Sequence, residues 1–203
     1  MRPPTSSGQT PVTVRPIRAT DVPALVDLHQ QFEGYLKRLD PHRRAEALSV
    51  YQDRLRRDGF GRRRKFHGYL AVVRGQPAGY LFYHQGYDPD EMKGPVVWII
   101  DLYVRKVERR TGVGTALMEA VAAESKRLNA IDIYFGVWNR NKAAQAFYTQ
   151  LGARPKGEIV FHHWRKSRWS QSRGGIPISG RRPVGRSKKQ HNKSLKLTPQ
   201  VRL

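Results

Sequence analysis

The chain contains no cysteine among its 203 residues. Disulfide bridges, thiolate metal ligands, iron–sulfur clusters and a cysteine nucleophile are therefore excluded. Long apolar runs are also lacking, so the sequence predicts no transmembrane helix and no contact with a membrane. Residues 1–11 are rich in Pro, Ser and Thr and lack the apolar stretch of a secretory signal. We expect a cytoplasmic protein with a flexible N-terminus over residues 1–11.

Acidic residues are scarce. The chain has 16 Asp and Glu against 38 Lys and Arg, which gives a formal net charge of +22. Residues 165–203 contain no acidic residue and little apolar periodicity, so they bury too little surface to offset the entropy of ordering. We predict a basic, disordered tail over this range. Such a tail favours non-specific binding to nucleic-acid phosphates, although the chain has no known nucleic-acid-binding motif; a role in solubility alone is the alternative.

Hydrophobic periodicity predicts one mixed α/β domain over residues 12–164. The expected order of elements is β-α-α-β-β-β-α-β-α-β. Thr20 or Asp21 is expected to cap the first helix, and a second helix is expected to begin at Pro41 and to end at Asp58-Gly59. Strands are predicted over residues 12–18, 66–73, 78–85, 96–104, 131–138 and 158–164, and further helices from residue 112 and over residues 141–151.

The segment from Asp101 to Leu117 carries the most specific pattern in the chain. A strand runs into a loop that contains Gly112 and Gly114, and a helix begins there. Glycines let backbone N–H groups converge on a ligand, and the first turn of a helix adds unpaired donors and the positive end of its dipole. The basic side chains around this loop are Arg105, Lys106, Arg109 and Arg110. The segment predicts an anion site that fits a pyrophosphate, with tight strand–helix packing as the alternative.

A second motif follows downstream, in which Asn139 precedes Phe147-Tyr148 and then Leu151-Gly152-Ala153. Together with Arg109-x-x-Gly112-x-Gly114, this motif resembles the GNAT acetyltransferase superfamily. The resemblance covers roughly residues 12–164. Within the superfamily the chain is most similar to the spermidine/spermine (diamine) N-acetyltransferase branch, on the segments Asp58-Gly59-Phe60-Gly61, Tyr87-Asp88-Pro89, residues 101–104 and Val137-Trp138-Asn139.

The resemblance implies acetyl-CoA as the cofactor and a homodimer as the assembly. It also implies that Tyr148 is the general acid, whose hydroxyl would protonate the CoA sulfur, with aromatic packing as the alternative role. No metal site is expected. The implied cofactor-binding residues lie on a strand edge, in the glycine loop and at one polar position: Leu102, Tyr103 and Val104; Arg109, Arg110, Thr111, Gly112, Val113, Gly114 and Thr115; and Asn139.

The general base departs from the pattern of the family. The diamine branch has a glutamate where this chain has Ile100. Asp101 follows and is a candidate catalytic residue, but neighbouring side chains of a strand face opposite sides, so Asp101 is not expected to replace a side chain at position 100 directly. Asp88, His84, Glu33 and an ordered water are alternatives for the base. Asp88 and Glu33 are also candidate substrate-binding residues.

Basic residues outnumber acidic ones in the first half of the chain. The basic runs are Arg43-Arg44, Arg54, Arg56-Arg57 and Arg62-Arg63-Arg64-Lys65, and the one acidic cluster is Asp88-Pro-Asp90-Glu91. A basic rim disfavours a polyamine and favours an amine that carries a carboxylate or phosphate, or a peptide with acidic flanks. Solvated helix faces are the alternative for these charges.

The interpretation that follows is an acetyl-CoA-dependent N-acetyltransferase, in which a primary amine of a small molecule or peptide attacks the thioester directly. A direct attack needs no covalent enzyme intermediate, which agrees with the absence of cysteine. The alternatives are a nucleic-acid-associated basic protein and a non-catalytic protein of the same fold that binds acyl-CoA.

Overall fold

The computed structural model describes residues 11–157 of the chain. Within this range strands and helices follow one another in the predicted order. The predicted strand over residues 158–164, the tail over residues 165–203 and residues 1–10 lie outside the described residues. The elements are β1 (Val12–Pro16), α1 (Val22–Leu39), α2 (Leu48–Gly59), β2 (His67–Val73), β3 (Gln76–Tyr87), β4 (Pro95–Val104), α3 (Val113–Arg127), β5 (Asp132–Phe135) and α4 (Lys142–Gln150).

The five strands form one mixed sheet in the order β1-β2-β3-β4-β5. Neighbours from β1 to β4 are antiparallel, whereas β4 and β5 are parallel and are connected through α3. The turn between β2 and β3 contains Arg74 and Gly75, both with positive φ. Two residues in this conformation match the right-handed twist of a hairpin. The mixed α/β class predicted from the sequence is confirmed.

Helices cover both faces of the sheet. On one face α3 buries Val113, Leu117 and Val121 against the strands. On the other face α1 buries Leu25 and Leu28, with a contribution from α2. Burying one such aliphatic side chain stabilises a fold by about 1.5–3 kcal/mol, so the two cores fix the sheet between its helices. In residues 11–157, none of the helices combines the length and the apolar character that crossing a membrane requires.

The start of α1 differs in detail from the prediction. Asp21 occupies the N-cap position, but its side chain makes no capping hydrogen bond to the helix. Its carboxylate accepts two hydrogen bonds from the Arg15 guanidinium, at 2.7 Å each, and a third from the backbone N–H of Arg18. The pair with Arg15 lowers the pKa of Asp21, because the charged carboxylate is stabilised. Asp21 therefore ties β1 to α1 instead of capping the helix.

The predicted helix from Pro41 is wrong at its beginning, because α2 starts at Leu48. Asp40 turns the chain: its carboxylate accepts a hydrogen bond from the backbone N–H of His42, and its carbonyl accepts one from the backbone N–H of Arg43. The Arg43 side chain then reaches back to Glu33 on α1. These contacts hold residues 40–47 as a non-helical segment beside α1, where the segment forms one wall of a cavity.

Candidate active site

A cleft opens in the sheet where β4 and β5 separate. The parallel pairing of these strands ends with Ile99 opposite Phe135. β5 stops at that residue, while β4 continues to Val104. Within residues 11–157, the edge of β4 beyond Ile99 has no strand beside it on that side. Such an edge presents backbone N–H and C=O groups to a ligand.

β4 contains a bulge at the same place. Tyr83 pairs with Ile99 and Phe82 pairs with Asp101, so that Ile100 is an extra residue without a partner on β3. A bulge breaks the alternation of side chains along a strand and changes their direction. The expectation that positions 100 and 101 are separated by strand alternation is therefore wrong, since both residues line one cavity.

Two cavities meet at this cleft. The glycine-loop cavity, of about 660 Å³, lies between the free part of β4, the start of α3 and α4. The arginine cavity, of about 510 Å³, lies between α1, residues 40–47 and the bulge of β4. Because they share residues, the two cavities form one continuous site with two arms. The shared lining residues are Phe32, Leu102, Asn141, Ala144 and Tyr148.

The glycine-loop cavity contains most of the predicted cofactor-binding residues. Side chains from α1, α4 and the loop are tied together across it. The Tyr35 hydroxyl donates a hydrogen bond of 2.6 Å to Asn141 Oδ1, and the Arg109 guanidinium lies over the Tyr35 ring at 4.6 Å. Arg109 Nε also donates to the Val104 carbonyl at 3.1 Å. The predicted residues that line the cavity are Leu102, Tyr103, Val104, Arg109, Arg110, Gly112, Gly114 and Thr115.

The two loop glycines have different roles. Gly112 is the N-cap of α3 with φ of 89°, and a Cβ built there would meet no atom within 4 Å. Gly112 is thus required for its backbone conformation, which positions the first turn of the helix. A Cβ on Gly114 would lie 3.1 Å from Phe147 Cζ. Gly114 therefore permits the close approach of α3 and α4, so the packing alternative holds for this glycine.

The arginine cavity is lined by charges of both signs. Arg43 donates two hydrogen bonds to the Glu33 carboxylate, at 2.9 and 2.7 Å. Arg54 donates to Glu46. The hydrogen bonds from Arg43 lower the pKa of Glu33, which keeps that carboxylate charged. Glu33 thus lies at the cavity as predicted, but its charge is already compensated by a neighbouring arginine.

Asp101 and Tyr148 both line the arginine cavity. Burial, reinforced by the nearby charge of Glu33 and opposed by Arg43, raises the pKa of Asp101 to about 7. Burial, with the charge of Asp101, raises the pKa of Tyr148 to about 12. Near neutral pH the Asp101 carboxyl therefore exchanges a proton readily, whereas the Tyr148 hydroxyl keeps its proton.

Polar atoms lie buried beneath the arginine cavity. Among the described residues, Tyr51 OH, Tyr80 OH and His29 Nδ1 lack a hydrogen bond of normal geometry. The rings of His29 and Tyr51 are stacked, with centroids 3.5 Å apart. Burial lowers the pKa of His29, so the imidazole is neutral near pH 7. Burial first, and then the charge of Asp101, raise the pKa values of both tyrosines, which keeps their hydroxyls protonated.

Some predicted site residues lie apart from both cavities. The carboxylate of Asp88 accepts hydrogen bonds from the Tyr134 hydroxyl and from the backbone N–H of Glu91, so it stabilises a turn. Asn139 accepts a hydrogen bond from Gln145 through its carbonyl. These two residues and the ones named next are absent from the lining of either cavity. Thr111 donates to the Glu108 carbonyl, Val113 belongs to the core, and the His84 ring contacts Trp98.

Sequence reasoning missed several lining residues. Asn141, and not Asn139, faces the cleft, where its side chain caps α4 by accepting from the backbone N–H of Ala144. A polar residue just before a helix is a signal for such a cap. His29, Phe32 and Leu36 were also missed; they line the arginine cavity together with the predicted Glu33, and their spacing places all four on one face of α1. No group of three or more potential metal ligands occurs in residues 11–157.

The bulged strand, the glycine loop and the two-armed cleft define an acetyltransferase of the GNAT type. The model of the acetyltransferase (GNAT) family matches residues 25–153, and the chain belongs to this family. The protein is an N-acetyltransferase, and acetyl-CoA is its co-substrate.

Two curated relatives and one solved structure show the range of the similarity. A thialysine N-epsilon-acetyltransferase of Bos taurus is 25% identical over 160 residues, which cover 75% of this chain and 89% of that protein. The spermidine/spermine N(1)-acetyltransferase-like protein 1 of Homo sapiens is 26% identical over 149 residues, which cover 69% of this chain and 20% of that protein. The structure of the aminoglycoside N-acetyltransferase AAC(6')-Iy in complex with CoA has a TM-score of 0.59 at 16% identity, covering 79% of this chain and 99% of that chain. The resemblance to the GNAT superfamily is confirmed.

Proposed function

We propose that the protein transfers the acetyl group of acetyl-CoA to a primary amine where its two cavities meet, with Asp101 as the base and Tyr148 as the acid. One observation carries this proposal. Tyr148 lines both cavities, and Asp101 lines the arginine cavity beside it with a pKa of about 7. Acyl transfer to an amine needs a base that is deprotonated near neutral pH, to accept the proton of the amine. It also needs an acid that is still protonated there, to donate a proton to the leaving sulfur.

The residues of the glycine-loop cavity fit acetyl-CoA. The free edge of β4 over Leu102, Tyr103 and Val104 offers backbone groups to the pantetheine arm. The first turn of α3 offers unpaired N–H groups to the pyrophosphate, and Gly112 leaves its approach open. Arg110 adds a positive charge at the cavity wall. We assign Asn141 the polar position that the sequence suggested for Asn139.

In the proposed reaction the protein carries out two proton transfers, one from the amine and one to the departing sulfur. When bound, acetyl-CoA supplies an acetyl group activated as a thioester, so that attack by a neutral amine forms a C–N bond and breaks the C–S bond. The Asp101 carboxylate takes the proton that the amine must lose. The Tyr148 hydroxyl donates a proton to the departing sulfur. Exchange with solvent returns both side chains to their starting states.

The amine substrate is supported only as a class. The names of the two curated relatives refer to acetylation at an amine nitrogen. The walls of the arginine cavity provide charged partners for a small polar amine. A primary amine on a small molecule or on a peptide fits this cavity, and CoA release with a panel of such amines identifies it.

The test compares Tyr148→Phe with Tyr87→Phe, a control on an exposed tyrosine at the end of β3. Loss of the acid at position 148 should lower kcat for CoA release by roughly 100-fold, while acetyl-CoA affinity stays within about twofold of the wild-type value. The control variant should retain the wild-type rate. The proposal is contradicted if Tyr148→Phe turns over at the wild-type rate, or if the wild-type chain binds acetyl-CoA and releases no CoA with any primary amine.

A further inference from the structure

The arginine cavity has a balanced set of charges. Three arginines and three acidic residues line it. One imidazole also lines it, that of His29, which burial keeps neutral near pH 7. The lining of the cavity is therefore neither predominantly acidic, as binding of a polycation would favour, nor predominantly basic, as binding of a polyanion would favour. The arginines are Arg43, Arg44 and Arg54, and the acidic residues are Glu33, Glu46 and Asp101.

Four of these six charges neutralise one another. Arg43 forms a two-point hydrogen bond with Glu33, and its guanidinium also lies over the Trp138 ring at 5.2 Å. Arg54 forms an ion pair with Glu46. The two-point pair is geometrically specific and holds Arg43 at Glu33, whereas Arg54 and Glu46 make a single exposed contact. Both arginines therefore already have a carboxylate partner.

One carboxyl and one guanidinium of these six groups remain unpaired. Asp101 has no ion-pair partner among the described residues, and it lies half-buried at the bulge of β4. Arg44 is exposed and likewise has no carboxylate partner within residues 11–157. It follows Arg43 directly in the segment over residues 40–47, and the Arg43–Glu33 pair fixes that segment against α1. A free carboxyl therefore lies within the cavity and a free guanidinium lies on its wall.

From this juxtaposition we propose that the acceptor substrate is an aminocarboxylate, whose amine meets Asp101 and whose carboxylate binds Arg44. The inference rests on the proposed function, and it names the substrate class of the same site. A guanidinium recognises a carboxylate through paired hydrogen bonds. A diamine or polyamine would instead place a second ammonium beside Arg44, where the like charges repel. Arg44 thus favours aminocarboxylates in two ways: it attracts their carboxylate, and it repels the second ammonium of a diamine or polyamine.

The experiment measures kcat/KM for CoA release with matched pairs of amines. Glycine, β-alanine, ε-aminocaproate and lysine are each compared with the corresponding carboxamide, which lacks the negative charge, and cadaverine and spermidine represent the polyamine class. We expect at least one carboxylate to exceed its carboxamide by about tenfold, and both polyamines to be poorer still. Charge reversal in Arg44→Glu should invert that preference toward the polyamines.

Arg44→Gln and the control Arg56→Gln, on an exposed arginine of α2 outside both cavities, separate binding from general charge effects. Arg44→Gln should raise KM for the carboxylate about tenfold and leave kcat near its wild-type value, whereas Arg56→Gln should change neither. Equal or better turnover of polyamines by the wild-type chain would overturn the inference and leave the proposed function standing. A chain that binds acetyl-CoA but acetylates no amine would overturn the proposed function itself.

Discussion

Burial raises the pKa values of both Asp101 and Tyr148, with opposite chemical consequences. A carboxyl whose pKa rises to about 7 remains partly ionised near neutral pH and becomes a stronger base. A phenol whose pKa rises to about 12 stays protonated throughout the physiological range and serves only as a donor. The same desolvation therefore sorts two neighbouring side chains into a base and an acid.

We expect ionisation of Asp101 to lower the free energy of unfolding at neutral and higher pH. Its pKa in the folded chain lies above the value of about 4 expected in the unfolded chain, so the folded state holds the proton more tightly. The contribution to the free energy of unfolding therefore falls as pH rises from about 4 to about 7. Asp101→Asn should accordingly stabilise the chain more at pH 8 than at pH 5, by on the order of 1 kcal/mol after allowance for partial exposure.

Urea unfolding at the two pH values measures this difference. Asp53→Asn, on an exposed aspartate of α2, serves as the control and should show no comparable dependence on pH. Equal effects of Asp101→Asn at both pH values would show that the carboxyl is not destabilised by its surroundings, and the role of Asp101 as a base would then lose its physical basis.

At the scale of single elements, β4 shows what a sequence pattern can and cannot specify. The run of apolar residues from Val96 to Val104 predicts a strand, which the structure confirms. The bulge at Ile100 depends on the register with β3, where Phe82 and Tyr83 pair with residues that are not adjacent. The register of β4 with β3 is set by tertiary pairing, which local sequence does not reveal. The rule that side chains alternate along a strand therefore wrongly placed Ile100 and Asp101 on opposite sides, although both line the same cavity.

The walls of the cavity were predictable only in part. Residues 40–47 contain polar and basic side chains that suit a helix, and the loop conformation depends on contacts of Asp40 and Arg43 with atoms outside their own backbone. The motif around position 139 indicated the correct loop, between β5 and α4. Within that loop it is Asn141 that faces the cleft, because its side chain caps α4. The glycine loop and Tyr148 could be located from motifs because each motif lies within its own strand–loop–helix unit, β4 to α3 for the loop and β5 to α4 for Tyr148.

The glycine loop offers a prediction with an internal control. Gly112 and Gly75 both have positive φ and open space where a Cβ would lie, but only Gly112 is at the cofactor arm of the cleft. Alanine at either position should lower stability by about 1 kcal/mol through backbone strain. Gly112→Ala should also weaken acetyl-CoA binding by about tenfold, because the first turn of α3 moves with its N-cap.

Calorimetric titration with acetyl-CoA, together with thermal unfolding of each variant, separates the two effects. Gly75→Ala should lose stability and bind acetyl-CoA as the wild-type chain does. Wild-type affinity in a folded Gly112→Ala variant would mean that the first turn of α3 does not receive the pyrophosphate.

At the scale of the whole molecule, the chain has a net charge of +22, yet the arginine cavity is lined by equal numbers of arginines and acidic residues. The order of elements and the two sequence motifs predict the family, because each of these features depends on local spacing. The sequence also suggests an anionic group on the substrate from the number of arginines. Among the arginines that line the cavity, the pairing of Arg43 with Glu33 and of Arg54 with Glu46 leaves Arg44 without a carboxylate partner in residues 11–157, and only three-dimensional contacts reveal this. The predictions of nucleic-acid binding and of a homodimer stay predictions.

The pH dependence of kcat tests the central claim most directly, because it reports the base while the whole site is assembled. The wild-type chain, saturated with acetyl-CoA and its best amine, should show an acid limb centred near pH 7, where Asp101 gains a proton. In Asp101→Asn, kcat should fall by roughly 100-fold and this limb should disappear, leaving only the limb of the amine itself near pH 10. A variant that keeps both the wild-type rate and the limb near pH 7 would contradict the account.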